Sequence, residues 1–189
     1  MSTPIKTVLL TKDQLRSKAT QVNGKPTPSA PSALREKHAN IWIIIKNKTQ
    51  FDISYLPQET WFDYGRFYEG TPAIGAFDIT GFGVCNKNLT LTGVGGGIPY
   101  GLALDQSNKF NFAIGFTDPN AGTYKASVVE STKGKDAWEK ANENGSLLQS
   151  NSIYSGVNED GEKVLFRFEL NATPGNTMTV NISQVFIEQ

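Results

Sequence analysis

Five aromatic side chains fall within eight positions of the sequence: Trp61, Phe62, Tyr64, Phe67 and Tyr68. Tyrosine and tryptophan combine an apolar ring with a polar tip, and the face of each ring attracts cations. At a surface, such side chains suit a choline headgroup, a sugar ring or a membrane interface. Packing in the core is the alternative, and it is favoured for the phenylalanines. The cluster therefore predicts a binding site rather than a catalytic one.

Side chains for acid–base or metal chemistry are scarce. His38 is the only histidine and Cys85 the only cysteine, so a catalytic triad and a zinc site are both unexpected. The glycine run near residue 95 lacks the lysine of a phosphate-binding loop. Basic residues do not interleave with aromatic ones as they do on RNA-binding sheets. We expect no enzyme activity, no catalytic residue, no cofactor, no metal and no nucleic-acid partner.

Short strands joined by turns must position the aromatic cluster. The run IWIIIKNKT, from Ile41, is continuously β-branched and predicts a strand buried on both faces. Residues 51–56 and 110–116 alternate between apolar and polar residues, as half-buried strands do. Gly93 to Gly97 predict a turn or bulge, and Asp118 to Gly122 predict a turn.

The fold class follows from this succession of short strands. One helix is expected in the body, over residues 135–144. The sequence predicts an all-β protein with one short helix, folded as an antiparallel β-sandwich over residues 41–189.

Residues 1–40 differ in composition from the rest of the chain. They contain seven Lys or Arg residues and two Asp or Glu residues, a net charge of +5 in a chain whose total is zero. Thr11 and Gln14 have the spacing of a capping box, which predicts a short helix near residues 12–19. Three prolines follow between residues 26 and 31. We therefore expect a flexible, basic N-terminal arm whose residues Lys6, Lys12, Arg16 and Lys18 face an anionic membrane.

Several motifs resemble two groups of pore-forming β-sandwich proteins. The motifs are RFYEG at residues 66–70, LTGVGGGIPYGLAL at residues 91–104, and a Phe112, Phe116, Pro119 pattern. Over roughly residues 41–130 their order resembles the actinoporin-like proteins of the cytolysin/lectin group. The block GVGGGIPY followed by FTDPNAGTYKASV is similar to the aegerolysins.

Both resemblances imply a toxin or defence protein that binds membrane lipids and assembles into homo-oligomers there. They imply recognition of sphingomyelin or another choline lipid, with Tyr100, Pro119 and Tyr124 at the headgroup and Phe116 behind them. Together with the aromatic cluster, the expected lipid-binding set is Trp61, Tyr64, Tyr68, Tyr100, Phe116, Pro119 and Tyr124.

The chain departs from actinoporins in two places that matter for pore formation. Their Trp-rich loop is replaced here by DPNAGTYK, which contains no tryptophan, and Pro26, Pro28 and Pro31 interrupt the N-terminal segment. Membrane recognition is thus expected more strongly than pore formation. No signal-peptide pattern opens the chain, and no apolar run is long enough to span a bilayer. We expect a soluble protein, cytoplasmic or released by a non-classical route, that acts at target membranes.

A soluble lectin of the same fold is the alternative function. Sugar sites stack a ring on an aromatic side chain and use carboxylates or amides for the hydroxyl groups. Asp78, Asn86, Asn88 and Asp118 are candidates for those polar contacts.

Overall fold

The computed structural model of the chain describes residues 2–71 and 73–188. Over these ranges the chain forms thirteen strands, three α-helices and one 3-10 helix. In chain order they are β1 Ser2–Pro4, α1 Lys12–Gly24, α2 Ser32–Arg35, β2 Asn40–Lys48, β3 Ile53–Tyr55, the 3-10 helix Pro57–Glu59, β4 Trp61–Tyr64, β5 Arg66–Phe67, β6 Asp78–Cys85, β7 Val94–Ala103, β8 Lys109–Asp118, β9 Lys125–Val129, α3 Gly134–Lys140, β10 Ser146–Gln149, β11 Ile153–Val157, β12 Lys163–Thr173 and β13 Thr177–Ile187.

The strands form two sheets that pack face to face, which confirms the predicted all-β sandwich. The first sheet has eight strands in the order β1-β11-β12-β13-β2-β6-β5, with β10 also beside β12. The second has five strands in the order β3-β7-β8-β9, with β4 also beside β7. Strand pairs in the described chain are antiparallel except β1 with β11 and β13 with β2. The sandwich is therefore mostly, but not wholly, antiparallel.

Alternating side chains of the two sheets build one large core. In β12, Phe166 and Phe168 point inward, while Arg167 between them faces outward and is half-buried. Phe110 of β8 stacks on Phe168, with ring centroids 4.7 Å apart. Strand β2 is buried on both faces, as its β-branched run predicts, because Trp42 belongs to a second apolar cluster on the outer side. These inward rows hold the sheets together through the hydrophobic effect.

The glycine run predicted as a turn or bulge instead forms the first part of strand β7. Glycine is needed there because other groups lie directly on the outer face of the strand. A Cβ at Gly95 would come within 3.0 Å of the Tyr64 ring, and one at Gly97 would overlap the backbone of Gly134 in α3. The predicted turn was wrong because glycine in a strand can also mark the close approach of a neighbour.

Residues 2–40 are packed on the sandwich and do not form the expected flexible arm. Strand β1 pairs with β11, and Ile5 and Leu9 belong to the main core. The capping box at Thr11 is present, but α1 continues to Gly24 and buries Leu15 and Val22. Apolar side chains at these positions explain the ordering, since their burial opposes the entropy of a free chain. We call residues 2–40 the N-terminal segment.

Helix α3 is shorter than the helix predicted for residues 135–144. The backbone of Ala141 is extended, and Asn142 then forms a bridge with Ala126 of β9. Pairing with the sheet thus ends the helix before Asn144. No helix in the described ranges combines the length and the apolar character that crossing a membrane requires.

Different loops lie at the two ends of the sandwich. At one end, which we call the apolar-loop end, lie residues 86–93 between β6 and β7 and residues 119–124 between β8 and β9. At the other, which we call the far end, lie the β7–β8 turn at residues 104–108 and the β11–β12 turn at residues 158–162. The N-terminal segment begins at the far end, where Lys6 N–H donates to Asp105 Oδ2 at 2.8 Å. It then crosses the outer side of the first sheet, where Leu34 packs on Trp42, and reaches the apolar-loop end, where Ala39 N–H donates to Asn86 Oδ1 at 3.3 Å.

Candidate functional site at the apolar-loop end

Two leucines at the apolar-loop end point into solvent. Leu89 is fully exposed and Leu91 is 75% exposed. Leu89 also has a positive φ of 61°, in the left-handed region that costs a non-glycine residue about 1 kcal/mol. Isolated exposed leucines are common, but two on one loop form an apolar projection that is unfavourable in water. Burial against an apolar partner would remove that cost.

The loop that carries these leucines is held by hydrogen bonds on both sides. Buried Asn86 donates from Nδ2 to the carbonyl oxygens of Lys87, at 3.1 Å, and Thr90, at 2.6 Å. Arg66 Nη2 donates to Asn88 Oδ1 at 2.8 Å. The backbone on each side of Leu89 is therefore tied to the body of the protein. The outward position of the leucine is a property of a structured loop.

A shallow pocket of about 290 Å³ lies beside this loop. Its lining consists of Tyr64, Thr92, Gly93, Pro119 and Asn120. Asn120 Nδ2 donates to Leu91 O at 2.6 Å, so the β8–β9 turn and the leucine loop form one surface. The ring of Tyr64 lies against Gly93 and Gly95, which have no Cβ to displace it. The pocket thus combines an aromatic ring with the edge of the apolar loop.

The electrostatics of the pocket are set by two carboxylates. Burial and the charges of Asp63 and Asp118 raise the pKa of the Tyr64 phenol. Burial also raises the pKa of Asp118, although the Asn40 N–H, which donates to Asp118 Oδ2 at 3.0 Å, and His38 act in the opposite direction. When ionised, Asp63 and Asp118 lie near enough to Tyr64 to favour a cationic group next to its ring.

Two of the predicted lipid-binding residues are not at the surface. Tyr100 and Phe116 are completely buried in the main core. Tyr100 stacks on Phe112 with centroids 5.5 Å apart, and Phe116 packs edge-on against Phe62. Both side chains lie at even positions of β7 and β8, which point between the sheets. Neither residue contacts a ligand at the surface without unfolding, so this part of the expected site is wrong.

The other predicted aromatics are dispersed over three surfaces. Tyr64 and Pro119 line the pocket described above. Tyr68 packs on the outer side of the first sheet against the second apolar cluster. Tyr124 is half-buried near the apolar-loop end, and its hydroxyl lies 3.4 Å from Asn176 Nδ2. Trp61 lies on the outer face of the second sheet beside α3 and Trp138.

The basic residues that were predicted to face a membrane together with these aromatics do not lie at the apolar-loop end. Lys6 is at the far end, and Lys12 Nζ pairs with Glu188 Oε1 at 2.7 Å there. Arg16 and Lys18 are exposed on α1, and Lys18 Nζ lies 5.7 Å from the centre of the Phe77 ring. The whole segment is attached by apolar burial and by contacts of this kind. One flat surface cannot contact both Leu89 and Lys12.

The remaining polar candidates have structural partners. Asp78 pairs with Lys25 at 2.8 Å, and Asn86, Asn88 and Asp118 hold the loops at the apolar-loop end. Within the described residues, no three His, Cys, Asp or Glu side chains are grouped as a metal site requires. These contacts give the four sugar-binding candidates roles in the fold, and their sugar-binding role stays a prediction.

The leucines of the apolar loop were missed in the sequence because residues 89–91 resemble a short strand. The surrounding run NKNLTLTG distinguishes this loop from a strand, because polar residues flank both leucines and the alternating pattern does not continue beyond them. In the structure Gly134 and Ala137 are the buried residues of α3, and Trp138 is half-exposed.

Comparison with known proteins adds little beyond this geometry. No protein-family profile and no curated protein matches the chain. The chain is similar to a solved structure described as the lipid binding protein Nakanori, with 15% sequence identity and a TM-score of 0.49. The similarity covers 92% of this chain and 79% of the other. Similarity this low carries no inference about a ligand, and the likeness to actinoporins and aegerolysins stays a prediction.

Proposed function

We propose that this chain binds a membrane surface with its apolar-loop end. The observation that supports the proposal is the pair of exposed leucines, Leu89 and Leu91, on a loop held by hydrogen bonds. Moving one leucine side chain from water to an apolar environment is worth about 1.5–3 kcal/mol. Because the loop is already ordered, little of that free energy is lost in fixing its conformation.

The headgroup proposed for this site is a choline lipid such as sphingomyelin. A quaternary ammonium group is attracted by the face of a tyrosine ring, and the pocket beside the leucines offers Tyr64. The nearby charges of Asp63 and Asp118 favour the same positive group. Pro119 adds an apolar wall. The finer steps of pore formation and oligomerisation are not needed for this binding.

Release of vesicle contents is not expected while the N-terminal segment stays packed. A pore lined by this segment would require Ile5 and Leu9 to leave the main core and β1 to separate from β11. Burial of those two side chains opposes that step by several kcal/mol, roughly 1.5–3 kcal/mol each. We therefore propose binding without lysis. Leakage of entrapped dye caused by the unmodified chain would overturn this part of the proposal.

The test is co-sedimentation with vesicles of phosphatidylcholine, of phosphatidylcholine with sphingomyelin, and of phosphatidylcholine with phosphatidylserine. The double variant Leu89→Ser/Leu91→Ser is expected to bind at least about 100-fold more weakly, since two leucines no longer enter the apolar layer. Val8→Ser is the matched control, because Val8 is 60% exposed at the far end and its loss should change nothing. Equal binding by the double variant and the unmodified chain would contradict the proposal.

A further inference from the structure

An exposed pair of tryptophans lies outside the proposed lipid site, on the outer face of the second sheet. Trp61 is 37% exposed and Trp138 is half-exposed, with ring centroids 6.5 Å apart and ring planes at 46°. The two indoles thus form an open, angled apolar wall. A contiguous exposed apolar patch that is rimmed by polar or charged residues is a feature of interaction surfaces.

The fold positions this pair through close backbone contacts. Strand β4 places Trp61 opposite Gly97 of β7, and the missing Cβ of Gly97 allows Gly134 of α3 to contact the sheet. Ser127 Oγ donates to the carbonyl oxygen of Ala137, which fixes the middle of α3. Gly134 and Ala137 are the buried residues of this helix. Helix α3 therefore adds little to the core and holds Trp138 next to Trp61.

Charged groups flank the indoles and restrict which class of ligand can bind there. Lys135 Nζ lies 5.1 Å from the centre of a Trp61 ring, and Glu139 Oε1 is 3.8 Å from that ammonium group. About half of each charged side chain is exposed, at 52% and 53%. A hydrogen-bond donor and an acceptor are thus available beside the rings. A choline group is disfavoured here, because the ammonium of Lys135 beside Trp61 repels a second cation, whereas a neutral ligand is not repelled.

We propose that Trp61 and Trp138 bind the pyranose ring of a glycan. The C–H face of a pyranose is apolar and stacks on an indole, while its hydroxyl groups accept from Lys135 and donate to Glu139. The pair is also set back from the apolar-loop end. Trp61 pairs with Gly97 and Tyr64 pairs with Gly95, two residues along β7, a distance of about 7 Å at the strand rise. The glycan site is therefore adjacent to the lipid pocket but shares none of its lining residues.

The first experiment is a glycan array of glucosides, galactosides, mannosides, N-acetylhexosaminides and sialosides, probed with the labelled full chain. The best ligand is then titrated as a free methyl glycoside against tryptophan fluorescence. We expect binding, with a loss of about tenfold or more in affinity for Trp61→Ala and Trp138→Ala, because central tryptophans dominate such contacts. Absence of binding across the array, or variants that bind as tightly as the unmodified chain, would overturn the proposal.

Three further measurements test whether a loss of glycan binding arises at this site, at the lipid site or from unfolding of the variant. Leu147→Ser replaces an apolar residue that is 79% exposed elsewhere, and it should leave glycan affinity unchanged. The double variant Leu89→Ser/Leu91→Ser should also bind the glycoside normally. Thermal unfolding of each tryptophan variant should stay close to that of the unmodified chain. A parallel loss of binding to glycan-free vesicles by Trp138→Ala would assign the tryptophans to the lipid site instead.

Discussion

At the far end of the sandwich Leu9 is fully buried against Gly156, whereas at the apolar-loop end Leu89 is fully exposed. Both leucines lie outside the strands on ordered backbone. The segment around Leu9 reaches the core because Gly156 leaves room for its side chain. The segment around Leu89 is held by polar contacts of Asn86 and Asn88, which direct the backbone and leave the side chain free. Order at one end comes from apolar burial, and at the other from hydrogen bonds.

This difference indicates different roles for the two ends. Removing apolar contacts at the far end should unfold part of the protein, because those contacts keep the beginning of the N-terminal segment in place. Removing apolar side chains at the other end should leave the fold intact and change only what the surface binds. The same chemical substitution therefore tests stability at one end and binding at the other.

The largest expected effect comes from making one substitution at both ends. Leu9→Ala should lower the free energy of unfolding by about 2–5 kcal/mol, the usual range for a buried leucine. Leu89→Ala should change it by about 0.5 kcal/mol or less, since the side chain makes no buried contact. Urea unfolding followed by circular dichroism measures both. Similar losses for the two variants would show that the ends do not differ in this way.

A smaller effect is expected inside the core, at a tyrosine wrongly assigned to the lipid site. Tyr100 Oη is buried and has no hydrogen-bond partner among the described residues. Tyr100→Phe removes that unpaired hydroxyl and should raise the free energy of unfolding by about 1 kcal/mol. Vesicle binding should remain unchanged, whereas Tyr64→Ala should weaken it without a comparable change in stability. Reduced vesicle binding by a folded Tyr100→Phe variant would show that Tyr100 does contribute to the lipid site.

The smallest effect concerns acid and the attachment of the N-terminal segment. Three carboxyl groups that contact the segment have pKa values below their ordinary ones of 3.8 for aspartate and 4.5 for glutamate. Hydrogen bonds from Asn108 and the Lys6 N–H lower the pKa of Asp105, and hydrogen bonds from Lys25 and Lys12 lower those of Asp78 and Glu188. These contacts stabilise the segment above the ordinary pKa values.

Their contribution is lost as the pH falls through the lowered pKa values, because protonation removes the charge that each partner binds. Hydrogen exchange of residues 2–25, corrected for its intrinsic pH dependence, should accelerate between about pH 4.5 and pH 2. Exchange at residues 94–103 in β7 serves as the internal control and should change less. The effect is modest because solvent screens exposed ion pairs. Equal acceleration in both regions would indicate global unfolding.

Local pattern was sufficient for the architecture of the strands. The β-branched run from Ile41 and the alternation at residues 110–116 predicted β2 and β8, because one residue in two must face each side of a sheet. The capping box at Thr11 likewise located the start of α1, since its hydrogen bonds involve residues three apart. Each of these signals is contained within a few consecutive residues.

Composition gave wrong predictions for segments whose conformation depends on residues far away in the sequence. The glycines of β7 were predicted to form a turn. In the structure they allow Tyr64 and α3 to lie directly on the sheet, and both of these neighbours are about thirty or more residues away in the sequence. The basic, proline-containing segment at residues 2–40 looked like a free arm, but Ile5 and Leu9 enter a core built by other strands. No local pattern reports whether such partners are present.

By itself the sequence determined that the chain is an all-β sandwich with aromatic residues concentrated near Trp61, because strand periodicity and residue type are local properties. Only the tertiary structure decided which of those aromatics reach the surface. Tyr100 is buried and Tyr64 is not, because β7 turns the first toward the opposite sheet while glycines leave space for the second on the outer face. Exposure depends on what packs against each side chain, and those neighbours come from distant parts of the chain.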